Sequence, residues 1–134
     1  MPPESRHISE WIERPAAEVY EYAANPVNLP RWAPGLGNAV ENVDGQWFVD
    51  TPSGRVGFAF VERNRYGVLD HEVTLPSGQV IYNPMRVIPH GDACEVVFSV
   101  RRLPGMSDEE FARDAGLVQA DLTRLKHILE GTGA

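Results

Sequence analysis

Cysteine is nearly absent. Cys94 is the only one in 134 residues, so no internal disulfide framework is available and a reducing compartment is expected. Long apolar runs are missing too: nothing approaches the ~18 consecutive apolar residues of a spanning helix, so no membrane insertion is expected. Residues Met1 to His7 have neither a basic start nor an apolar stretch and do not read as a secretory signal. A cytoplasmic location follows as the expectation. Positive charge is also scarce. The net charge of −7, with no stripe of Lys and Arg beyond the local pair Arg101-Arg102, argues against a nucleic acid partner, because phosphate binding relies on clustered cations. The acidity reads as a solubility device.

Chemistry-bearing clusters are equally thin. The four histidines, His7, His71, His90 and His127, are scattered and have no cysteine cluster to join, so no metal site is expected. Gly35-Leu36-Gly37 lacks the following helix and the lysine of a phosphate-binding loop, and no cofactor is expected. Cys94 has no basic neighbour or helix N-terminus to activate it and reads as an inert buried thiol.

What remains is the patterning of one globular domain over residues 1–134. Residues 6–12 alternate in character and read as a first strand. Pro15 suits a first helical turn, residues 16–24 are good helix formers, and Asn25-Pro26 stops them. A second short helical turn is expected over residues 27–32. Six strands follow, at 39–43, 46–51, 55–63, 68–75, 79–88 and 93–101, separated by turn chemistry such as Asp44-Gly45 and Pro52-Ser53-Gly54. Short loops between successive strands imply an antiparallel meander.

Ser107 and Glu110 stand at capping-box spacing and open a long helix that ends at Glu130, before Gly131. Phe111, Ala115, Val118, Leu122, Leu125 and Leu129 recur at steps of three and four, making one apolar face. Arg113, Asp114, Asp121, Arg124 and Lys126 read as its solvated face. Neither a lone amphipathic helix nor a one-sheet meander can bury its apolar side alone, and packing one across the other solves both problems. The expected class is α+β: a curved antiparallel sheet of about seven strands wrapped around a long C-terminal helix, with two short helices after the first strand.

This order resembles the START-like (SRPBCC) superfamily, and within it the polyketide cyclase/dehydrase-like proteins. The resemblance is carried by Ile12-Glu13-Arg14-Pro15-Ala16-Ala17-Glu18-Val19-Tyr20, by Leu29-Pro30-Arg31-Trp32-Ala33-Pro34-Gly35 and by Gly67-Val68-Leu69-Asp70-His71-Glu72-Val73. Pro84-Met85-Arg86-Val87 and the stretches from Gly105 to Glu109 and from Asp121 to Lys126 extend it over nearly the whole chain. It implies a helix-grip fold that holds an apolar ligand between sheet and helix, and it places Trp32 at the cavity entrance. A core tryptophan anchoring the short helix is the other reading of Trp32.

Hairpin pairing assigns the inner face. Trp47 falls opposite Phe58, Phe60 opposite His71, His71 opposite Asn83, Asn83 opposite Ser99, and Met85 opposite Val97; opposed side chains share a face. The expected ligand-binding set is therefore Trp32, Trp47, Phe58, Phe60, His71, Ile81, Asn83, Met85, Val97 and Ser99 with Phe111, Ala115, Val118 and Leu122 of the helix. A bulge at Asn83-Pro84 would shift that register by one and invert the faces beyond it. His71, Asn83 and Ser99 form one polar row, which either orients a ligand or simply satisfies its own buried polarity. His71 is the catalytic candidate, as an acid or base near neutral pH. Adjacent strand residues face opposite ways, so Asp70 is not its partner; Asp70 is expected to meet Arg86 on the outer surface.

Three functions are compatible with this pattern. The first is binding of a small, largely apolar molecule of lipid, polyketide or aromatic type. The second is a polyketide cyclase/dehydratase-like enzyme using His71. The third is a protein-interaction module whose cavity is vestigial, filled by Trp47, Phe58, Phe60 and Met85. An apolar outer strand face through Phe98 and Val100 would point to a homodimer.

Overall fold

Pro15 holds φ at −59° as the N-cap of α1 (Ala16–Ala23), which follows directly on β1 (Ser5–Ile12). A single 3-10 turn (Pro26–Asn28), capped by the Asn25 side chain on the Val27 N–H, leads into the short α2 (Leu29–Trp32). Val19, Ala23, Leu29 and Trp32 from these pieces are buried in the core. The computed structural model describes residues 3–34, 39–52 and 54–131. The glycine pair at Gly35 and Gly37 and the turn residue Ser53 lie outside them.

The meander then runs β2 (Val40–Val43), β3 (Gln46–Thr51), β4 (Gly54–Phe60), β5 (His71–Thr74), β6 (Val80–Asn83), β7 (Met85–His90) and β8 (Ala93–Arg101). Asp44 and Gly45 both take positive φ at the β2–β3 turn, as a tight Asp-Gly hairpin requires. The described residues thus hold eight strands, not seven, because the expected strand 79–88 is two. Pro84 has no N–H for a ladder, and the chain breaks there. β6 closes a five-stranded antiparallel sheet ordered β2-β3-β4-β5-β6, whereas β7 joins a three-stranded one ordered β1-β8-β7.

The two sheets are stitched at this break. Leu69 N–H donates to the Met85 carbonyl and Val87 N–H to the Gly67 carbonyl, both at 2.8 Å, so the chain ahead of β5 runs along β7. The Asp70 carboxylate accepts from Met85 N–H (2.9 Å), the Tyr82 hydroxyl (2.5 Å) and the Arg86 guanidinium (3.1 Å). The expected Asp70–Arg86 pair exists, with the Arg86 side chain exposed on the outer side, but Asp70 itself is buried at 4% exposure. Its carboxylate supplies the acceptor that the buried Met85 N–H needs where the chain leaves one sheet for the other.

Gly67 sits at the same seam with φ +74°, and a Cβ there would stand 2.2 Å from the Val87 carbonyl oxygen. Gly67→Ala is therefore expected to destabilise the fold by about 2 kcal/mol, from left-handed strain and loss of the Val87–Gly67 bond. A urea titration checks this through a lowered midpoint.

Cross-strand register matches the expected pairs as far as β6: Trp47 lies opposite Phe58, Phe60 opposite His71, and His71 opposite Asn83. Beyond Pro84 it shifts by one, and Met85 lies opposite Phe98 rather than Val97. β8 therefore buries Cys94, Val96 and Val100, with Phe98 on that face, and turns Val97 and Ser99 away. Ser99 hydrogen-bonds the exposed His7 at 2.8 Å instead of joining a row with His71 and Asn83. The apolar outer face proposed for a homodimer through Phe98 and Val100 loses its basis by the same shift.

α3 (Asp108–Glu130) begins with the expected capping box, Ser107 Oγ accepting from Glu110 N–H and Glu110 Oε1 from Ser107 N–H. Gly131 ends it at φ 72°. The helix packs mainly on β1, with further contact to β8 and α2. Polar ties hold it there. Lys126 Nζ donates to the Trp11 carbonyl (2.6 Å), Glu130 accepts from Glu13 N–H (2.7 Å), and Arg124 reaches the Trp32 carbonyl (3.4 Å). Held over β1, the helix leaves room between its other flank and β4–β6.

Candidate functional site

That room is a cavity of about 250 Å³. Phe58, Val73, Ile81 and Asn83 of β4–β6 form one wall, with Phe98 and Val100 of β8 beside them. Leu29, Trp32 and Ala33 close a second side, and Val118 and Leu122 of α3 a third. His71, Leu103, Leu117, Asp114, Asp121 and Arg101 complete the lining.

Of the expected ligand-binding set, Trp32, Phe58, His71, Ile81, Asn83, Val118 and Leu122 come together here. Trp47 and Phe60 instead border a separate groove with Glu21, Arg55 and Arg63. Met85 is fully buried in the core at the start of β7. Val97 and Ser99 are turned away by the register shift. Phe111 and Ala115 are buried elsewhere along α3, with the Arg6 guanidinium 4.9 Å over the Phe111 ring.

Four of the lining residues missed from the sequence have an identifiable origin. Phe98 and Val100 follow from the break at Pro84. Asp114 and Asp121, expected on the solvated face of α3, flank its apolar stripe and line the cavity beside Val118 and Leu122. Burial raises both carboxyls, Asp114 against the pull of Arg113, and Asp121 to about 6 against that of Arg124 at 3.2 Å.

That shift has a sign that can be checked. Between the ordinary aspartate value of 3.8 and about 6, folded Asp121 holds a proton that the unfolded chain releases. Its contribution to stability therefore worsens as pH rises through this window. Asp121→Asn is expected to be more stable than the parent by about 1–2 kcal/mol well above that window. The advantage is expected to shrink on acidification, and to be gone once pH falls to about 3.8. Thermal melts across pH test it.

His71 is the centre of the wall. It is 4% exposed, stacks on Phe58 at 4.9 Å and 22°, and takes edge or tilted contacts from Phe60 and Phe98 at 5.6 and 5.5 Å. Burial lowers its pKa below the usual histidine value, outweighing the Leu69 carbonyl and the charge of Asp70, which pull the other way. The ring is therefore neutral at neutral pH. Its Nδ1 lies 3.0 Å from the Leu69 carbonyl oxygen, and among the described residues no hydrogen bond links it to Asp70, Asn83 or Ser99.

The remaining polar groups are quieter. Trp32 packs in the core and walls the cavity at once, and its indole N–H has no acceptor among the described residues. Cys94 is buried, which pushes its thiol up to about 11 and keeps it protonated. Among the described residues no group of three or more His, Cys, Asp or Glu side chains is placed to hold a metal ion. Among them, too, no helix is long and apolar enough to cross a membrane.

A curved antiparallel wall gripping a long C-terminal helix, with a cavity between them, is the helix-grip fold expected from the sequence. Solved structures bear out this fold. A protein from Bacillus thuringiensis is 16% identical with a TM-score of 0.74, covering 93% of this chain and 98% of that one. Norcoclaurine synthase from Thalictrum flavum is 15% identical with a TM-score of 0.67, covering 96% of this chain and 94% of that one. The di-domain ARO/CYC BexL of the BE-7585A biosynthetic pathway is 17% identical with a TM-score of 0.67, and this chain spans 46% of its length. At these identities the likeness is one of fold. No family model and no curated protein sequence matches the chain.

Proposed function

We propose that this protein binds a small, largely apolar molecule in the cavity between β4–β6 and α3. The observation that carries the reading is the cavity itself: about 250 Å³, walled mainly by apolar and aromatic side chains with a few polar groups among them. Its volume gives the scale of what it holds. An apolar cavity of ~150 Å³ takes one benzene. By proportion this one holds about ten non-hydrogen atoms, the size of a substituted single ring. Space left open beside Phe58 speaks against the interaction-module reading, and a buried unpaired Cys94 is in keeping with a cytoplasmic location.

Native mass spectrometry of protein purified from its own host, read against the denatured chain, tests the reading. A retained adduct of single-ring mass is expected, and one-ring hydrocarbons added to stripped protein should restore it. Failure of any such compound to bind stripped protein contradicts the proposal.

One observation favours an enzymatic second reading. A neutral histidine in a water-poor aromatic setting is equipped to accept a proton, and the fold is shared with the ARO/CYC BexL. In that case the substrate is a small carbonyl compound of the same size, and His71→Gln abolishes turnover while leaving binding of hydrocarbons intact.

A further inference from the structure

The tautomer of His71 narrows the ligand class, and this step rests on the cavity being a ligand site. A backbone carbonyl has no hydrogen to give, so the 3.0 Å contact between His71 Nδ1 and the Leu69 oxygen requires the imidazole proton to be on Nδ1. The three phenylalanine contacts, from Phe58, Phe60 and Phe98, hold the ring against turning over. Nε2 is then left as a bare lone pair. It has no partner among the described residues, and His71 belongs to the cavity wall. A neutral imidazole nitrogen fixed in this way accepts and does not donate.

We propose that the cavity selects a one-ring molecule bearing a hydroxyl donor, a phenol or comparable alcohol, whose O–H bonds to His71 Nε2 while its ring packs on Phe58 and against Val118 and Leu122. A plain apolar cavity makes the opposite choice. Burying a hydroxyl without a partner is costly, so such a cavity prefers the hydrocarbon of the same shape. The ranking of two isosteres therefore reads the presence of an acceptor, and because Asn83, Asp114 and Asp121 also line the cavity, the His71 variant and the His71 nitrogen resonances assign it to Nε2.

The pair to use is 4-ethylphenol and 4-ethyltoluene, which differ only in hydroxyl against methyl and are of this size. Titrated into the full chain and followed by 1H–15N spectra, 4-ethylphenol is expected to bind about tenfold tighter, the value of one well-made hydrogen bond over a methyl contact. His71→Phe keeps the aromatic packing and removes the lone pair, and the order should reverse. Long-range 1H–15N spectra of the unaltered protein provide a readout that needs no variant. They should show the Nδ1–H form, with the His71 Nε2 resonance moving for the phenol and not for the hydrocarbon. Equal binding of the two compounds, or a proton found on Nε2, overturns the proposal and leaves the apolar-ligand reading standing. Binding of neither compound overturns both.

Discussion

Asp70→Ala is expected to lower folding stability by about 3 kcal/mol, more than any other single polar change in the chain. The loss has an identifiable source. The alanine leaves the buried Met85 N–H without its acceptor, and it releases Tyr82 and Arg86 from the edge of the sheet break. Tyr82 and Arg86 are exposed enough to turn to water; Met85 N–H is not. Asp70→Asn keeps an oxygen for Met85 N–H, and should recover about half of the loss. Chemical denaturation of the two variants beside the parent measures both. Equal stability of Asp70→Ala and the parent would show that the seam is held by the Leu69–Met85 and Val87–Gly67 backbone bonds alone.

The second large effect concerns binding. Val118→Trp places an indole where α3 faces Phe58 and Val73 across the cavity, and it is expected to weaken binding of one-ring compounds by about a hundredfold, because the volume they need is gone. The change fills space rather than opening it, so thermal stability should hold or rise. Calorimetric titration with 4-ethyltoluene, together with a melting curve, separates the two quantities. A variant that binds as before would place the ligand elsewhere, the groove beside Trp47 and Arg55 being the next place to look.

Much of this fold is legible from spacing. The α3 stripe from Phe111 to Leu129, the Ser107–Glu110 box and the Asp44-Gly45 turn each follow from local chemistry, because caps and turns are decided within a few residues. Register is legible too wherever a short turn fixes it, hence the correct facing of Phe58, His71 and Asn83. It fails at Pro84, where a missing N–H ends one ladder and starts another a residue out of step. That single step exchanges Val97 and Ser99 for Phe98 and Val100 in the wall. The proline itself was the visible signal.

Other members of the site are set by tertiary geometry that no local pattern encodes. Asp114 and Asp121 are ordinary helix-surface residues by spacing, and only the packing of α3 on β1, β8 and α2 brings them to the cavity. Trp47, Phe60 and Met85 share the inner face by alternation yet miss the cavity, because a curved sheet presents only part of that face to the helix. His71 is different: its strand position was readable, but its tautomer depends on a bond to the Leu69 carbonyl two residues away, which no pattern of residue types announces.

Crystals of the protein pressurised with xenon give the most direct measurement of the hollow between helix and sheet. Xenon is expected to occupy it, bounded by Phe58 and Val73 on one side and Val118 and Leu122 on the other. An electron-density map with no xenon there, and with side chains closing the space between α3 and β5, would contradict the reading of this chain as a ligand-holding protein.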